Sequence, residues 1–329
     1  MDRIQLTNGF FEGDNNAYLF SGEGPTTLVD TGVAEPDTRE QIRDALADHG
    51  AAFADVDQVL LTHFHEDHAG LAGEIQDESG ATVRVHAADA PLVERDESAL
   101  AAMEAQRERY FEDWGMPEPA QADLRDVLEA GEAYAGRPAT VEPFEGGEQF
   151  RAGDETLTAV HLPGHTRGLS GFVRETAGGE QLLSGDALLP VYTPNVGGAD
   201  TRVEHPLEQY LGTLDAIADA DYDRAWPGHR DAIDDPSARA VEILQHHFER
   251  TERVLSVLAD HGPADAWTVS DHLFGDLQAI HILHGPGEAY AHLTHLRNGG
   301  VVERETDGYV LAADPPPLAS LFPDRALPA

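Results

Sequence analysis

Thr62-His63-Phe64-His65-Glu66-Asp67-His68-Ala69-Gly70 follows directly on the apolar run Val59-Leu60-Leu61. Three histidines and an aspartate lie within six residues, where the chain leaves a predicted strand. A strand that opens into a ligand-rich turn presents its chemistry at the carboxyl end, as α/β proteins do. Imidazole and carboxylate together suit zinc, iron or manganese. The turn therefore predicts most of a metal site, with distant residues completing it.

Working outward, short β-like runs at 3–6, 17–20 and 26–29 precede the turn, the last ending in Asp30-Thr31-Gly32. A helix follows: Asp37 and Glu40 have capping-box spacing, Ile42, Ala45 and Leu46 form an apolar face, and Gly50 is a stop signal. After the turn come a helix through Leu71 and Ile75 and a strand at 82–86. This alternation predicts α/β layers. Residues 89–140 break it. Helices at 98–114 and 120–130, split by Gly115-Met116-Pro117-Glu118-Pro119, read as an inserted hairpin carrying Met103, Tyr110, Phe111 and Trp114. Such an insertion serves either as a structural cover or as a lid or substrate wall.

Strands resume near 139. A run at 156–162 leads into Pro163-Gly164-His165-Thr166, one at 181–183 into Ser184-Gly185-Asp186, and one at 222–226 into Pro227-Gly228-His229. Three more times a β-like run ends in a glycine-marked turn carrying a metal-competent residue. The character changes near Asp235. A long helix at 236–260, short helices at 270–274, 276–283 and 288–298, and a hairpin signal around Thr306-Asp307-Gly308 describe a small winged-helix-like domain. The expected division is a catalytic domain at 1–235, with its helical insertion, and a C-terminal domain at 236–329.

The ordered set His-x-His-x-Asp-His, Pro-Gly-His, Gly-Asp, Pro-Gly-His resembles that of the metallo-β-lactamase-fold hydrolases. Asp30-Thr31-Gly32 is similar to the family's first motif. The resemblance covers about residues 1–235 and implies an αβ/βα four-layer sandwich with metals at one edge. It implies His63, His65 and His165 on a first metal, Asp67, His68 and His229 on a second, and Asp186 bridging them. Asp67 and Asp186 are the implied catalytic carboxylates, Asp67 also being suited to orient the nucleophile. Asp30 is expected behind the ligands, fixing their loops. The implied cofactors are two divalent ions, zinc first, with iron or manganese as alternatives. The segment 186–195 resembles a loop of the branch with a C-terminal winged helix. Within it Tyr192 either donates a hydrogen bond to a developing oxyanion or simply packs the loop. His161, His205, His246, His247, His281, His284, His292 and His295 match no ligand position and read as structural.

The implied activity is hydrolysis of a small thioester, ester or lactone by a hydroxide held between two metals, broadly as in the glyoxalase II group. That group uses lysine among the residues that hold glutathione, and this chain has none. An endoribonuclease-type phosphodiesterase and a mononuclear-iron persulfide dioxygenase are the alternatives. Winged helices often bind nucleic acid through a basic helix. Over 285–312, however, Arg297 and Arg304 face Glu288, Glu303, Glu305 and Asp307, a net of −2. A small-molecule substrate is expected and nucleic acid is not. The C-terminal region is expected to pack on the catalytic domain, to support a homodimer or to shape substrate access.

Composition narrows the setting. The 329 residues include no cysteine, so disulfides and thiolate ligands are excluded. All 21 basic residues are arginine, against 61 acids, and the net charge is −40. The acids are spread along a chain with apolar periodicity throughout, unlike a disordered acidic tail. The balance resembles that of cytoplasmic proteins of extreme halophiles, where a Debye length of about 3 Å at molar salt screens self-repulsion. The charged start Met1-Asp2-Arg3-Ile4-Gln5 and the lack of a run near 20 apolar residues predict a soluble, cytoplasmic protein without a membrane span. Transfer from molar to millimolar KCl is expected to lower the melting temperature. A melt that does not move between the two would contradict the halophile reading.

Overall fold

The computed structural model describes residues 1–8 and 13–327. Among them, β1 (Asp2–Leu6), β2 (Asn15–Phe20), β3 (Thr27–Val29), β4 (Gln58–Leu60), β5 (Thr82–His86) and β6 (Val141–Phe144) form a first sheet in that spatial order. Pairing is antiparallel from β1 to β3 and parallel from β3 to β6. The second sheet has the order β11-β10-β9-β8-β7, from β7 (Gln149–Ala152), β8 (Glu155–His161), β9 (Ser170–Thr176), β10 (Gly179–Gly185) and β11 (Arg224–Pro227). Only β10 and β11 run parallel in it.

The inner strands β2, β3 and β4 are buried along their whole length, whereas β1 and β7 at the sheet edges alternate buried with exposed residues. Side chains alternate between the faces with period two. In β4, Val59 joins Ile42 and Leu46 of α1 (Pro36–Asp48) in an outer core. Its neighbour Leu60 packs between the sheets with Phe20, Phe144, Phe172 and Leu183. On the far side, Leu182 and Ala225 meet Leu211 and Leu214 of α7 (Pro206–Ala220) and Leu244 of α8 (Pro236–His261). The result is helix, sheet, sheet, helix: the four-layer metallo-β-lactamase fold. The short α2 (Glu66–Ala69), α3 (Ala72–Ser79) and α4 (Ala90–Val93) flank the first sheet.

Three local expectations change. The capping box on Asp37 does not form: Glu35 is the N-cap without a side-chain bond, and Pro36 occupies the first turn. Proline's fixed φ suits that position and sets the start of the helix. The strand β9 also had no counterpart in the sequence pattern, its Ser-Gly start giving no alternation.

The inserted hairpin is α5 (Glu97–Asp113) and α6 (Glu118–Gly131), with the Asp96 side chain accepting from the Ala99 N–H at the start of α5. Its aromatic end is shared. Trp114 is fully buried, stacks on Tyr110 and lies 5.7 Å from the Tyr290 ring. Phe111, Trp114 and Leu124 share one core with Val254 and Leu258 of α8 and Leu293 of α10 (His281–Asn298). The remaining C-terminal elements are α9 (Ala266–Phe274) and the antiparallel pair β12 (Val302–Glu305) and β13 (Gly308–Leu311). The helices expected at 276–283 and 288–298 are not found as such: 276–280 is not helical, and α10 starts at His281 and runs through Gly285-Pro286-Gly287, where the expectation left a gap. Contact explains Gly287: a Cβ there would fall 2.4 Å from the Gly198 Cα. The glycine permits α10 to lie against the loop that follows β10. Among the described residues no helix is long and apolar enough to cross a membrane.

Trp114 joins hairpin and C-terminal helices, so Trp114→Ala should cost about 3–5 kcal/mol. The check is the denaturant midpoint, and a midpoint equal to wild type would mean that the shared core carries no stability.

Candidate metal centre

The carboxyl ends of β4, β8, β10 and β11 meet at one edge of the two sheets. The chain leaving β4 carries His63 and His65, and α2 then sets Asp67 and His68 half a turn further. His165 follows β8, Asp186 follows β10 and His229 follows β11. All seven side chains converge. His63 Nε2 lies 2.9 Å and His165 Nε2 3.2 Å from His65 Nδ1. In a second group, His229 Nε2 lies 3.4 Å and His68 Nε2 3.8 Å from Asp67 Oδ2. Asp186 stands between the groups, 3.5 Å from His68 Nε2, 3.5 Å from His229 Nε2 and 3.8 Å from His165 Nε2.

The hydrogen bonds assign the tautomers. Thr62 Oγ1 donates to Asp30 and so accepts from His63 Nδ1. His165 Nδ1 donates to the Asn195 carbonyl, and His65 Nε2 to the Ala199 carbonyl. Each ring spends its one N–H away from the centre. Three bare nitrogens therefore face one another, a repulsive arrangement that a cation relieves. The second group differs: His68 donates from Nδ1 to Asp30, while its buried Nε2 and the buried Asp186 Oδ1 stand 3.5 Å apart without a hydrogen bond, and the buried His229 Nδ1 has none either. Orphaned buried groups of this kind ask for a ligand. The donor set, nitrogen and carboxylate oxygen only, fits divalent metal ions.

The field divides the two groups. Burial pushes the His63 imidazole well down and that of His65 down to about 4, helped by neighbouring histidines. At His68 burial opposes charge, but Asp186, Asp67 and Asp30 outweigh it and hold the ring well above the usual imidazole range. His229 is raised to about 10 against burial by Asp186 and Asp67.

The supports are buried as well. Asp30, at φ 60°, accepts from the Thr62 N–H, the Thr62 hydroxyl and His68 Nδ1, at 2.8–2.9 Å. Asn15 donates to Asp67 Oδ2 and accepts from Asn8. Behind His165, Asp89 accepts from Thr166 and Gly168, and Arg202 bridges Asp89 to Asp200. Gly228 completes the packing: a Cβ there would meet Asp186 Oδ1 at 2.3 Å, so Pro-Gly-His needs its glycine.

A cavity of about 650 Å³ opens on the ligands, walled by the inserted hairpin, the 194–201 loop and α10. The hairpin is thus a wall of the site as well as part of a core. His284, read as structural in sequence, lines this cavity beside His165 and is kept neutral by burial, its value lowered to about 3. Only the path of α10 puts it there; no spacing signal marks it. Tyr192 lies outside the cavity lining, its ring under the Arg230 guanidinium and its carbonyl accepting from Arg239. His161 stacks on His86, away from the ligands. His247 and His292 gain a partner that spacing did not offer: Glu288, with ligand atoms all within 4.8 Å. Arg250 already pairs with Glu288, and Thr251 bonds His292, so this cluster reads as a polar junction between α8 and α10.

His68 and His229 hold protons that a metal must displace, so metal binding should release protons and tighten as pH rises. Without metal the sign for stability is opposite. Their raised values stabilise the fold below the ordinary imidazole value of 6.5, and that contribution is lost as pH climbs through the folded values, about 10 for His229. Zinc titrations from pH 6 to 8 in buffers of different ionisation enthalpy check both proton release and direction. Affinity independent of pH would contradict the assignment.

The sequence profile of the metallo-beta-lactamase superfamily matches residues 11–229. A metallo-beta-lactamase family protein of Thermus thermophilus superposes with a TM-score of 0.81 at 33% identity, over 94% of this chain and 98% of its own. The probable metallo-hydrolase YqjP of Bacillus subtilis is 26% identical over 278 residues, 82% of this chain and 84% of that protein. Thioesterase pkgB of Emericella nidulans is 25% identical over 246 residues, 75% of this chain and 54% of its own length. With the profile match spanning all seven converging ligands, the chain belongs to the metallo-beta-lactamase superfamily of metal-dependent hydrolases.

Proposed function

We propose that the protein hydrolyses a small thioester, ester or lactone at a centre of two divalent ions. One observation carries this: seven nitrogen- and oxygen-bearing side chains converge in adjoining groups, and five of them, His65, Asp67, His165, Asp186 and His229, line a cavity with largely apolar walls. His63, His65 and His165 would hold one ion, Asp67, His68 and His229 the other, and Asp186 would serve both. Such ions, zinc first and iron or manganese next, supply Lewis acidity and bring the pKa of water to about 7.

The chain's own residues account for the rest. Asp67 and Asp186 accept the O–H of the attacking water and fix its direction. Asn15 and the Asp30 triad hold those carboxylates and His68 in place. Water oxygen bonds to the acyl carbon, the C–S or C–O bond breaks, and the proton passes to the leaving atom. His284, neutral at the cavity edge, is placed to exchange a hydrogen bond with that atom. The thioester reading is supported by a relative named as a thioesterase. In this reading the C-terminal unit walls the cavity through Ile280, Leu283 and His284.

His63→Ala and Asp186→Ala should each lower turnover of a model thioester at least 10³-fold in metal-loaded protein, with metal analysis giving two ions in wild type. One iron per chain with oxygen consumption would instead favour persulfide oxidation. Cleavage of single-stranded RNA, with all thioesters left intact, would favour the phosphodiesterase.

A further inference from the structure

The cavity is larger than an ester or thioester bond requires. From His65, Asp67 and His229 it continues between α5, α6 and α10. Leu92, Val93, Leu100, Met103, Leu128 and Leu283 face this arm, and Phe64 is the only hydrocarbon ring among the described lining residues. At about 650 Å³ the space sits within the range of roughly 300–1,000 Å³ usual for small-molecule sites. The metal ligands lie at one end; at the other these aliphatic side chains share a mostly apolar surface with Arg95, Arg107, Arg125 and Arg137 and with Glu104 and Glu129.

We infer that the aliphatic arm is an acyl-chain subsite, so that the substrate is a thioester or ester whose acyl part is a medium-length alkyl chain. The inference rests on the hydrolase reading above. Polarity decides which half of the substrate enters. A carrier such as a pantetheine arm is polar and keeps its hydration outside, whereas an alkyl chain gains by leaving water. Flexible Leu and Met walls accept a chain more readily than a flat ring. The inserted hairpin then sets chain length. Met103 on α5 is half-buried and outside the core clusters, so it can be enlarged freely; Leu128 on α6 is half-buried too but also packs against the shared core, so Met103→Trp is the cleaner variant.

The test uses metal-loaded full-length protein with acetyl, butyryl, hexanoyl, octanoyl and benzoyl thioesters of N-acetylcysteamine. The ratio kcat/KM should rise about fourfold per methylene until the arm is full. Met103→Trp and Leu128→Trp should each lower the octanoyl-to-acetyl ratio at least tenfold. A second arm needs no turnover: octanoate should bind, with a negative heat-capacity change, at least tenfold more tightly than acetate, and both variants should lose that difference. Equal rates for acetyl and octanoyl, benzoyl exceeding octanoyl, or octanoate binding no better than acetate would overturn the subsite. Selective octanoate binding with no thioester hydrolysed would leave the subsite standing and remove the proposed reaction instead.

Discussion

The carboxylate of Asp30 holds the ligand turn in shape. It is buried, stands at the end of β3, and spends its acceptors on the Thr62 N–H, the Thr62 hydroxyl and His68 Nδ1. Each of those bonds has a consequence at the centre. Bonding Thr62 frees its oxygen to accept from His63, which turns the His63 Nε2 inward. Bonding His68 turns its Nε2 inward too. One aspartate thus sets the tautomer of a ligand in each group, and a charge-assisted bond is strong enough to do so.

The same economy governs the rest of the edge. Every ligating histidine of the first group anchors its second nitrogen on an oxygen of the protein, two of them carbonyls of the 195–199 loop. That loop is itself pinned, because the Asn195 side chain accepts from the Gly198 and Ala199 amides and donates to the His284 carbonyl. The C-terminal helix α10 therefore reaches His165 through Asn195, whose side-chain amide donates to the His284 carbonyl and whose own carbonyl accepts from His165 Nδ1. Catalytic edge and C-terminal helices behave as one packed unit, a continuity that also runs through α8, whose ends lie in different cores.

Much of the site is legible in sequence because its ligands are local or motif-bound. Four of seven come from one turn, and the others stand beside glycines that leave room for them. Element types follow from period-two and helical apolar patterns, so strands such as β5 and helices such as α8 fall where periodicity places them. The misreadings have physical causes. Gly285-Pro286-Gly287 falls in a gap between expected helices, but its glycine answers a close approach across the fold. His284 and the pair His247 and His292 look isolated because their partners arrive from other helices.

The sequence by itself placed seven metal-competent side chains at short spacings next to strand ends, and their order carried the resemblance that implied the four-layer fold and the class of chemistry. Only the tertiary structure decided which nitrogens face inward, what walls the cavity, and that Tyr192 stays out of it while His284 lines it. Those outcomes depend on contacts between segments more than 80 residues apart, such as Asn195 with His284. No local pattern encodes such a meeting, because it is settled by how the helices pack over the shared core.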